Sequence, residues 1–337
     1  MIAPPPRTER VNTPRTRKHL SFDQLVEQIY DEAQQLPDQR EDPDYRLVDA
    51  IMSAFAMFPL KDPSLLAFDG RRNDENMKNL FRIAQIPSDT QMRVILDPVL
   101  PDWLRPLFKV IFQALQRGKA LEPFIFHEGH YLLAIDGTEY FSSDSIDCSS
   151  CLCRESKTGK KSYYHQMVCA TLVMPGKREV IPLAPEPIVK QDGSNKNDCE
   201  RNASKRLLEK IRQEHPRLPI IVVEDGLASN APHIRLLKKL DMRFLLIANE
   251  DDHEYLFDEF IRADDEGRVT GFSFPHPAEP GVTCEISFVH DLPLNRSNQD
   301  LLVNVLMYSE YAADCTRQKH FVGVTDLRFP IGVHVWP

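Results

Sequence analysis

Two aspartates are the residues of this sequence best placed to do chemistry together. Asp136 follows the apolar run YLLAI (131–135), and Asp225 follows the run IIVVE (220–224). Both runs have the length and composition of buried strands. If the strands are parallel neighbours, roughly 4.8 Å apart, their carboxyl ends meet at one edge of the sheet. Ligand sites of open α/β sheets lie at that edge.

Two converging carboxylates are suited to phosphoryl transfer. Hard divalent cations take oxygen ligands, and two ions about 3.5–4 Å apart stabilise the attacking and leaving oxygens of an in-line displacement. We therefore predict a magnesium or manganese site at Asp136 and Asp225, completed by a third acid. Glu224 precedes Asp225 and points to the opposite face of its strand, so only one of these two acids can easily face the site. The alternative for a lone aspartate after a strand is a turn former or helix cap.

A second group of residues has the chemistry of a zinc site. Cys148 and Cys151 form a C-x2-C pair, and His165 follows in the next apolar run. Such a pair is half of a structural zinc site, and Cys153 or Cys199 would supply the missing ligand. The alternatives are a loop with free thiols and a strand histidine that has no role in metal binding.

Basic residues follow this cysteine cluster in a polar stretch, and they are candidates for contacts to DNA phosphates. They are Arg154, Lys157, Lys160 and Lys161. A solvated hairpin is the alternative. Because the formal net charge is −9, a protein that covers nucleic acid with its whole surface is excluded. Any DNA contact must come from local patches.

The elements that would position these residues begin with a helical region. Residues 1–19 are proline-rich and basic, which predicts a disordered arm that contacts phosphates or has no role. Residues 20–125 have helical apolar spacing, and Ser88 with Gln91 has the pattern of a helix N-cap. A DNA-binding domain and a plain helical bundle both fit this region.

Residues 126–263 have the pattern of the catalytic core. Three apolar strands come first, at 131–136, 163–174 and 178–189, with a polar loop at 137–162. Helices and strands then alternate, with helices at 198–215, 233–240 and 253–263 and strands at 219–225 and 242–249. Three opening strands followed by this alternation predict a ribonuclease-H-like α/β fold with a mixed sheet.

The last region, residues 264–337, is predicted to be rich in β-structure. Short strands fill 268–326, and the chain then ends in RFPIGVHVWP, which has no acid and no helical period. There is no signal peptide and no apolar run near the roughly 18 residues that span a bilayer. With seven cysteines, an odd number, these features predict a reduced, cytoplasmic protein that does not bind membranes.

The amino-acid sequences of several stretches resemble those of the DDE-type transposases of bacterial insertion sequences. This family is similar in its catalytic fold to retroviral integrases. The stretches that carry the resemblance are AIDGTEYFSS (134–143), YYHQMV (163–168), EVIPLAPEPIVKQDG (179–193), KNDCERNASKRLL (196–208) and VVEDGLASNAPHIRLLKKLDMRF (222–244).

The resemblance implies a function and a set of partners. Asp136 becomes the first catalytic acid and Asp225 the second, with divalent metal that is normally magnesium. The N-terminal region recognises DNA, and the block at 268–326 is an insertion between the second and third acids. The expected substrates are the terminal inverted repeats of the element and target DNA, handled by a homodimer associated with the nucleoid.

The resemblance also implies a third acid, a glutamate on a helix after the insertion. The sequence after residue 326 supplies none, so we expect a truncated end and an incomplete active site. One rival interpretation is a DNA-binding relic that performs no chemistry. A second rival is a metal-dependent nuclease that uses only local acids.

Overall fold

Two compact units divide the chain, and each is described by itself. The computed structural model describes residues 20–190 and 198–329. The first unit comprises Met1–Pro123 with Pro182–Ala184, and the second comprises Phe124–Ile181 with Pro185–Pro337. The predicted basic arm at 1–19 and the predicted truncated end at 330–337 lie outside the described residues. Within the described ranges, no helix is both long enough and apolar enough to cross a membrane.

The first unit is helical, as its apolar spacing predicts. The Ser88 hydroxyl accepts a hydrogen bond from the Gln91 backbone N–H at 3.3 Å, which confirms the predicted N-cap. Val26 and Ile29 belong to the buried core of this unit. The helices are α1 (Phe22–Ala33), α2 (Leu47–Met57), α3 (Leu65–Asp69), α4 (Glu75–Phe81), α5 (Asp89–Leu96) and α6 (Pro101–Arg117).

The second unit is a mixed α/β structure with helices at three points along a long series of strands. The helices are α7 (Glu200–Glu214), α8 (Ala231–Lys239) and α9 (Glu254–Asp265). The strands are β1 (Ile125–His127), β2 (His130–Ser143), β3 (Leu152–Glu155), β4 (Lys161–Val173), β5 (Ile181–Pro182), β6 (Glu186–Ile188), β7 (Ile220–Glu224), β8 (Arg243–Ile247), β9 (Thr270–Pro275), β10 (Thr283–Pro293), β11 (Leu302–Tyr311) and β12 (Arg317–Thr325).

One large sheet runs through the described part of the second unit. Its strands lie in the order β3-β4-β2-β7-β8-β12-β11-β10-β9. β2 pairs antiparallel with β4 and parallel with β7, and β7 pairs parallel with β8. The sheet is therefore mixed, as the order of elements in the sequence predicts.

The β-rich block continues this sheet and does not form a second one. β12 pairs antiparallel with β8, and β11, β10 and β9 follow as antiparallel neighbours. The four strands match the runs predicted between 268 and 326 to within a few residues. β12 is the element through which this block joins the sheet that contains the two aspartates.

Two expectations for residues 137–189 are wrong. The region 137–162 is partly strand, because β2 extends to Ser143 and the short β3 pairs with β4. The strand expected at 178–189 is reduced to β5 and β6. Prolines at 182, 185 and 187 explain this reduction, because proline has no N–H to donate to a neighbouring strand.

A buried hydrogen-bonded group joins β7 to the two helices that flank it in sequence. Glu224 is the last residue of β7 and is only 8% exposed. The Ser204 hydroxyl of α7 donates to one carboxylate oxygen at 2.8 Å. His233 Nε2 of α8 bonds to the other oxygen at 2.5 Å. Because both partners are also buried, this group fixes the end of β7 against α7 and α8.

We expect Glu224→Ala to lower the free energy of unfolding by about 3 kcal/mol, because it leaves two buried polar groups without their partner. Urea denaturation followed by circular dichroism measures this loss. Glu209→Ala, on the exposed face of α7, is the matched control and should change stability by about 0.5 kcal/mol or less. Equal stability of the two variants would contradict a structural role for Glu224.

Candidate functional site

The two aspartates lie on adjacent parallel strands, as expected. β2 and β7 pair from Tyr131 with Ile220 to Ala134 with Val223. Each aspartate is two residues beyond the last of these pairs, so the register brings Asp136 level with Asp225. Both side chains are exposed. Neighbouring strands are roughly 4.8 Å apart, so the two carboxylates share one edge of the β2–β7 pair.

Asp136 does not end its strand, contrary to the sequence-based expectation. It lies inside β2, opposite Cys169 of β4, and β2 stays paired with β4 as far as Ser143. Only β7 ends at this level, at Glu224. The edge of β2 that faces β7 is therefore uncovered from Asp136 onward, and its backbone groups are available to another element.

Asp225 also acts as the cap that the alternative interpretation proposes. Its carboxylate accepts a hydrogen bond from the Leu227 N–H at 3.1 Å and begins the short 3-10 helix Gly226–Ala228. The cap fixes the orientation of the carboxylate at the end of β7. The side chain remains exposed, so the cap is compatible with a second role in binding a cation.

A third carboxylate, which the sequence analysis did not single out, lies beside this pair. Glu200 is in the first turn of α7, and its carboxylate accepts a hydrogen bond from the Gly137 backbone N–H. A Cβ atom on Gly137 would lie only 2.5 Å from Glu200 Oε2. Glycine at position 137 is therefore what allows the carboxylate to approach the uncovered edge of β2.

The charge environment of Glu200 places it close to both aspartates. Burial raises the pKa of the Glu200 carboxyl above its ordinary value, and the negative charges of Asp225 and Asp136 raise this pKa further. The hydrogen bond from Gly137 acts in the opposite direction and lowers it. Asp136 also raises the pKa of the Cys169 thiol, after the larger effect of burial. The three carboxylates are therefore near enough to influence one another's charge, but among the described residues their oxygens do not all lie within 4.8 Å of one another.

Two cationic side chains lie beside Glu200 and Asp225. Arg201 and Lys205 of α7 line a pocket of about 170 Å³ together with Glu200, Glu224 and Asp225.

The end of β8 supplies an amide on the far side of β7. A Cβ atom on Gly226 would lie 2.5 Å from Asn249 Nδ2, so the Asn249 amide packs against the residue that follows Asp225. Carboxylates, an amide and two cations thus gather where β7 and β8 end.

Two of the four basic residues proposed to contact DNA are paired within the protein. The Arg154 guanidinium makes two hydrogen bonds to Glu139, at 2.8 and 3.1 Å. The Lys160 ammonium forms an ion pair with Asp144.

The other two basic residues, Lys157 and Lys161, are exposed. Lys161 begins β4 and pairs with Glu155 of β3 in the sheet register. Ser143, at the end of β2 beside this hairpin, is seven residues beyond Asp136, roughly 23 Å along the strand. The basic hairpin therefore lies beyond the carboxylate cluster and not against it.

The proposed zinc ligands are brought together. Among the described residues, Cys148, Cys151 and His165 offer ligand atoms that lie within 4.8 Å of one another. Cys153 and Cys199, the proposed fourth ligands, are not part of this group.

Comparisons with known proteins give a likeness in structure but none in sequence. No protein-family profile matches this sequence, and no curated protein matches it. The fold is similar to a piggyBac transposase solved by cryo-electron microscopy as a synaptic complex with hairpin DNA. The identity is 10% and the TM-score 0.38, and the match covers 96% of this chain. The chain spans 62% of the length of that transposase chain.

The raised pKa of Glu200 gives stability a definite pH dependence. The folded protein binds this proton more tightly than the unfolded chain, so stability falls as pH rises through the raised pKa. Glu200→Gln removes this repulsion and keeps an oxygen to accept from Gly137. Without divalent cations at pH 7.5, the variant should exceed the parent protein in stability by less than about 1 kcal/mol, because solvent screens the charges.

At pH 4 the two proteins should have nearly equal stability, because Glu200 is then largely protonated. Magnesium should raise the unfolding midpoint of the parent protein more than that of the variant. Thermal unfolding at both pH values, with Glu209→Gln as the exposed control, measures these differences. A Glu200→Gln variant that is less stable than the parent at pH 7.5 would contradict the charge cluster.

Proposed function

We propose that this chain is the catalytic part of a DDE-type transposase of a bacterial insertion sequence, which cleaves and transfers DNA strands. One observation carries the proposal: Asp136 and Asp225 lie at the same level of two parallel strands, and the Glu200 carboxylate lies against Gly137, the residue after Asp136. Three neighbouring carboxylates offer the oxygen ligands that hard divalent cations prefer, and a bound cation would have to draw them together.

The topology supports a ribonuclease-H-like core for this activity. Three strands, β3, β4 and β2, in which each neighbouring pair is antiparallel, are followed across the sheet by β7 and β8, which run parallel to β2. α7 precedes β7 in the chain, and α8 connects β7 with β8. In such sheets the ligand site lies beyond the carboxyl ends of the parallel strands.

Asp136, Asp225 and Glu200 would hold magnesium or manganese, which would supply charge stabilisation for in-line displacement at phosphorus. The residues fit these ions on two grounds. Carboxylate oxygens are hard ligands that also balance positive charge. The pKa of Glu200 is raised by burial and then by repulsion from Asp225 and Asp136, and a cation among the three groups would relieve this repulsion.

The other residues of the site position the carboxylates and neutralise charge on the DNA phosphates. The Gly137 N–H and the Leu227 N–H hold the carboxylates of Glu200 and Asp225 in place. Arg201 and Lys205 contact the DNA phosphates and compensate part of their charge. Water is the nucleophile in strand cleavage, and a DNA 3′-hydroxyl is the nucleophile in strand transfer. The protein thus contributes positioning and electrostatic stabilisation and forms no covalent intermediate.

Glu200 takes the role of the third acid in this proposal. The resemblance to insertion-sequence transposases implies a glutamate after the β-rich block, and that expectation differs from the arrangement proposed here. Glu200 comes before the second aspartate in the sequence, on α7, and lies against Gly137 of β2. A glutamate from another source is not needed to give the pair a third carboxylate.

The proposed substrates are the ends of a mobile element and a target DNA. The helical first unit binds the terminal repeats, and two copies of the chain act on paired ends. Because the total charge is −9, binding depends on local cations such as Arg201 and Lys205. Salt should therefore weaken DNA binding steeply through counterion release.

Cleavage of a plasmid that carries the DNA flanking this gene tests the proposal. With magnesium or manganese, we expect Asp136→Asn and Asp225→Asn to reduce the cleavage rate by about 100-fold or more, because each removes charge stabilisation from the transition state. Glu209→Gln should retain the parent rate. An Asp225→Asn variant with full activity would refute the assignment.

DNA that is bound but not cleaved in either ion would favour a DNA-binding protein without chemistry. Cleavage without strand transfer to a second plasmid would favour a metal-dependent nuclease.

A separate pair of variants tests the position of Glu200 without removing any acid. We expect Gly137→Ala to reduce cleavage by about 10-fold or more, because its Cβ would displace the Glu200 carboxylate. Gly271→Ala is the matched control, since its Cβ would meet only ordinary contacts, the nearest at 3.6 Å. When cleavage is titrated against magnesium concentration, Gly137→Ala should need more magnesium for half-maximal cleavage than Gly271→Ala. Equal cleavage by both variants would exclude Glu200 from the site.

A further inference from the structure

Outside the carboxylate cluster, one group of side chains has the chemistry of a metal centre. Cys148 Sγ lies 3.4 Å from Cys151 Sγ and 3.3 Å from His165 Nε2. Cys151 Sγ lies 3.4 Å from the same nitrogen. Two sulfurs and one imidazole nitrogen therefore converge on a single point from two different segments of the chain.

We propose that Cys148, Cys151 and His165 bind a zinc ion, with water as the fourth ligand. Zinc takes thiolate sulfur at about 2.3 Å and imidazole nitrogen at about 2.0–2.1 Å in a tetrahedron. Ligand atoms of such a tetrahedron are roughly 3.5–3.8 Å apart by the same bond lengths. The three atoms here would have to separate by only a few tenths of an ångström to accept the ion.

The backbone around the two cysteines forms a tight turn that brings their sulfur atoms together. The Cys151 N–H donates to the Cys148 carbonyl at 3.1 Å, which closes a tight turn. The Cys148 N–H donates to Cys151 Sγ at 3.2 Å. A hydrogen bond from a backbone N–H to a sulfur stabilises negative charge on that sulfur, as groups around metal ligands commonly do.

The histidine is held with Nε2 towards the sulfurs. His165 lies within β4, opposite Phe141 of β2. Its ring stacks on Tyr140, with centroids 5.8 Å apart, and makes a tilted contact with Phe141 at 5.7 Å. These contacts position the imidazole before any ion is present, which lowers the cost of ordering it on binding.

The exposure of the two cysteines indicates what the fourth ligand is. Cys151 is buried, whereas Cys148 is exposed, so the open side of the site faces solvent. Cys153 is close in sequence but its Sγ contacts the Arg154 carbonyl at 4.0 Å, and it lies outside the cluster. A water molecule completes the tetrahedron, as in zinc sites with three protein ligands.

The ion would stabilise a polar loop that has few apolar contacts of its own. The loop DSIDCSSC (144–151) joins β2 to β3. Zinc would fasten this loop to β4 at a point four residues from Cys169, roughly 13 Å along the strand. The centre is therefore separate from Asp136 and does not depend on the proposed DNA chemistry.

Metal analysis of the full chain, purified under reducing conditions from zinc-containing medium, tests the proposal. We expect about one zinc ion per chain. Cobalt substituted for zinc should give the absorption bands of tetrahedral thiolate coordination. Cys148→Ser, Cys151→Ser and His165→Ala should each weaken zinc binding by roughly 10-fold or more, whereas His165→Cys should retain it because it restores a ligand.

Three controls separate this centre from the rest of the molecule. Cys153→Ser and Cys199→Ser should retain zinc, because neither residue belongs to the cluster. Asp225→Asn should also retain zinc while losing cleavage, so the two proposals fail independently. A parent protein that binds neither zinc nor cobalt after reduction would overturn the inference. So would a Cys148–Cys151 disulfide that persists under these conditions, or equal loss of zinc in Cys153→Ser.

Discussion

The parallel pairing of β2 with β7 is the constraint on which the site depends. Side chains alternate between the two faces of a strand, so a slip of one residue would turn Asp225 away and put Glu224 in its place. The register from Tyr131 with Ile220 onward prevents this. Glu224 reinforces it, because its buried carboxylate is satisfied only where Ser204 and His233 meet it.

The same arrangement concentrates negative charge at a cost to stability. Glu200, Asp136 and Asp225 repel one another, and this repulsion adds to the larger effect of burial in raising the pKa of Glu200. A fold under selection for stability alone would have little reason to keep three acids together. Such clusters are more frequent at functional sites than elsewhere, where perturbed pKa values serve binding or catalysis.

Much of the sheet could be predicted from the sequence because its strands are distinct apolar runs. The run IIVVE forms β7, and the short strands predicted over 268–326 form β9 to β12. β3 escaped prediction because Leu152–Glu155 is short and polar and forms only by pairing with β4. The strand expected at 178–189 forms only as the short β5 and β6, because each of its prolines removes a backbone donor.

The site itself was only half predictable. Asp136 and Asp225 could be found because each follows an apolar run, a pattern visible in one dimension. Glu200 could not, because an acid in the first turn of a helix is ordinarily explained by the helix dipole alone. The contact between the Glu200 carboxylate and Gly137 forms only after α7 has packed on the sheet. The pairing of Arg154 with Glu139 likewise requires the register of β2 and β4, which the sequence does not reveal.

Iron-directed cleavage of the protein backbone tests the central claim most directly. Ferrous ion substitutes for magnesium at carboxylate sites, and with ascorbate and peroxide it cuts the chain beside the bound metal. The account predicts cuts near Asp136, Glu200 and Asp225, which excess magnesium suppresses and Asp225→Asn abolishes. Cuts at only one of these segments, or cuts elsewhere that magnesium does not suppress, would contradict a shared metal site.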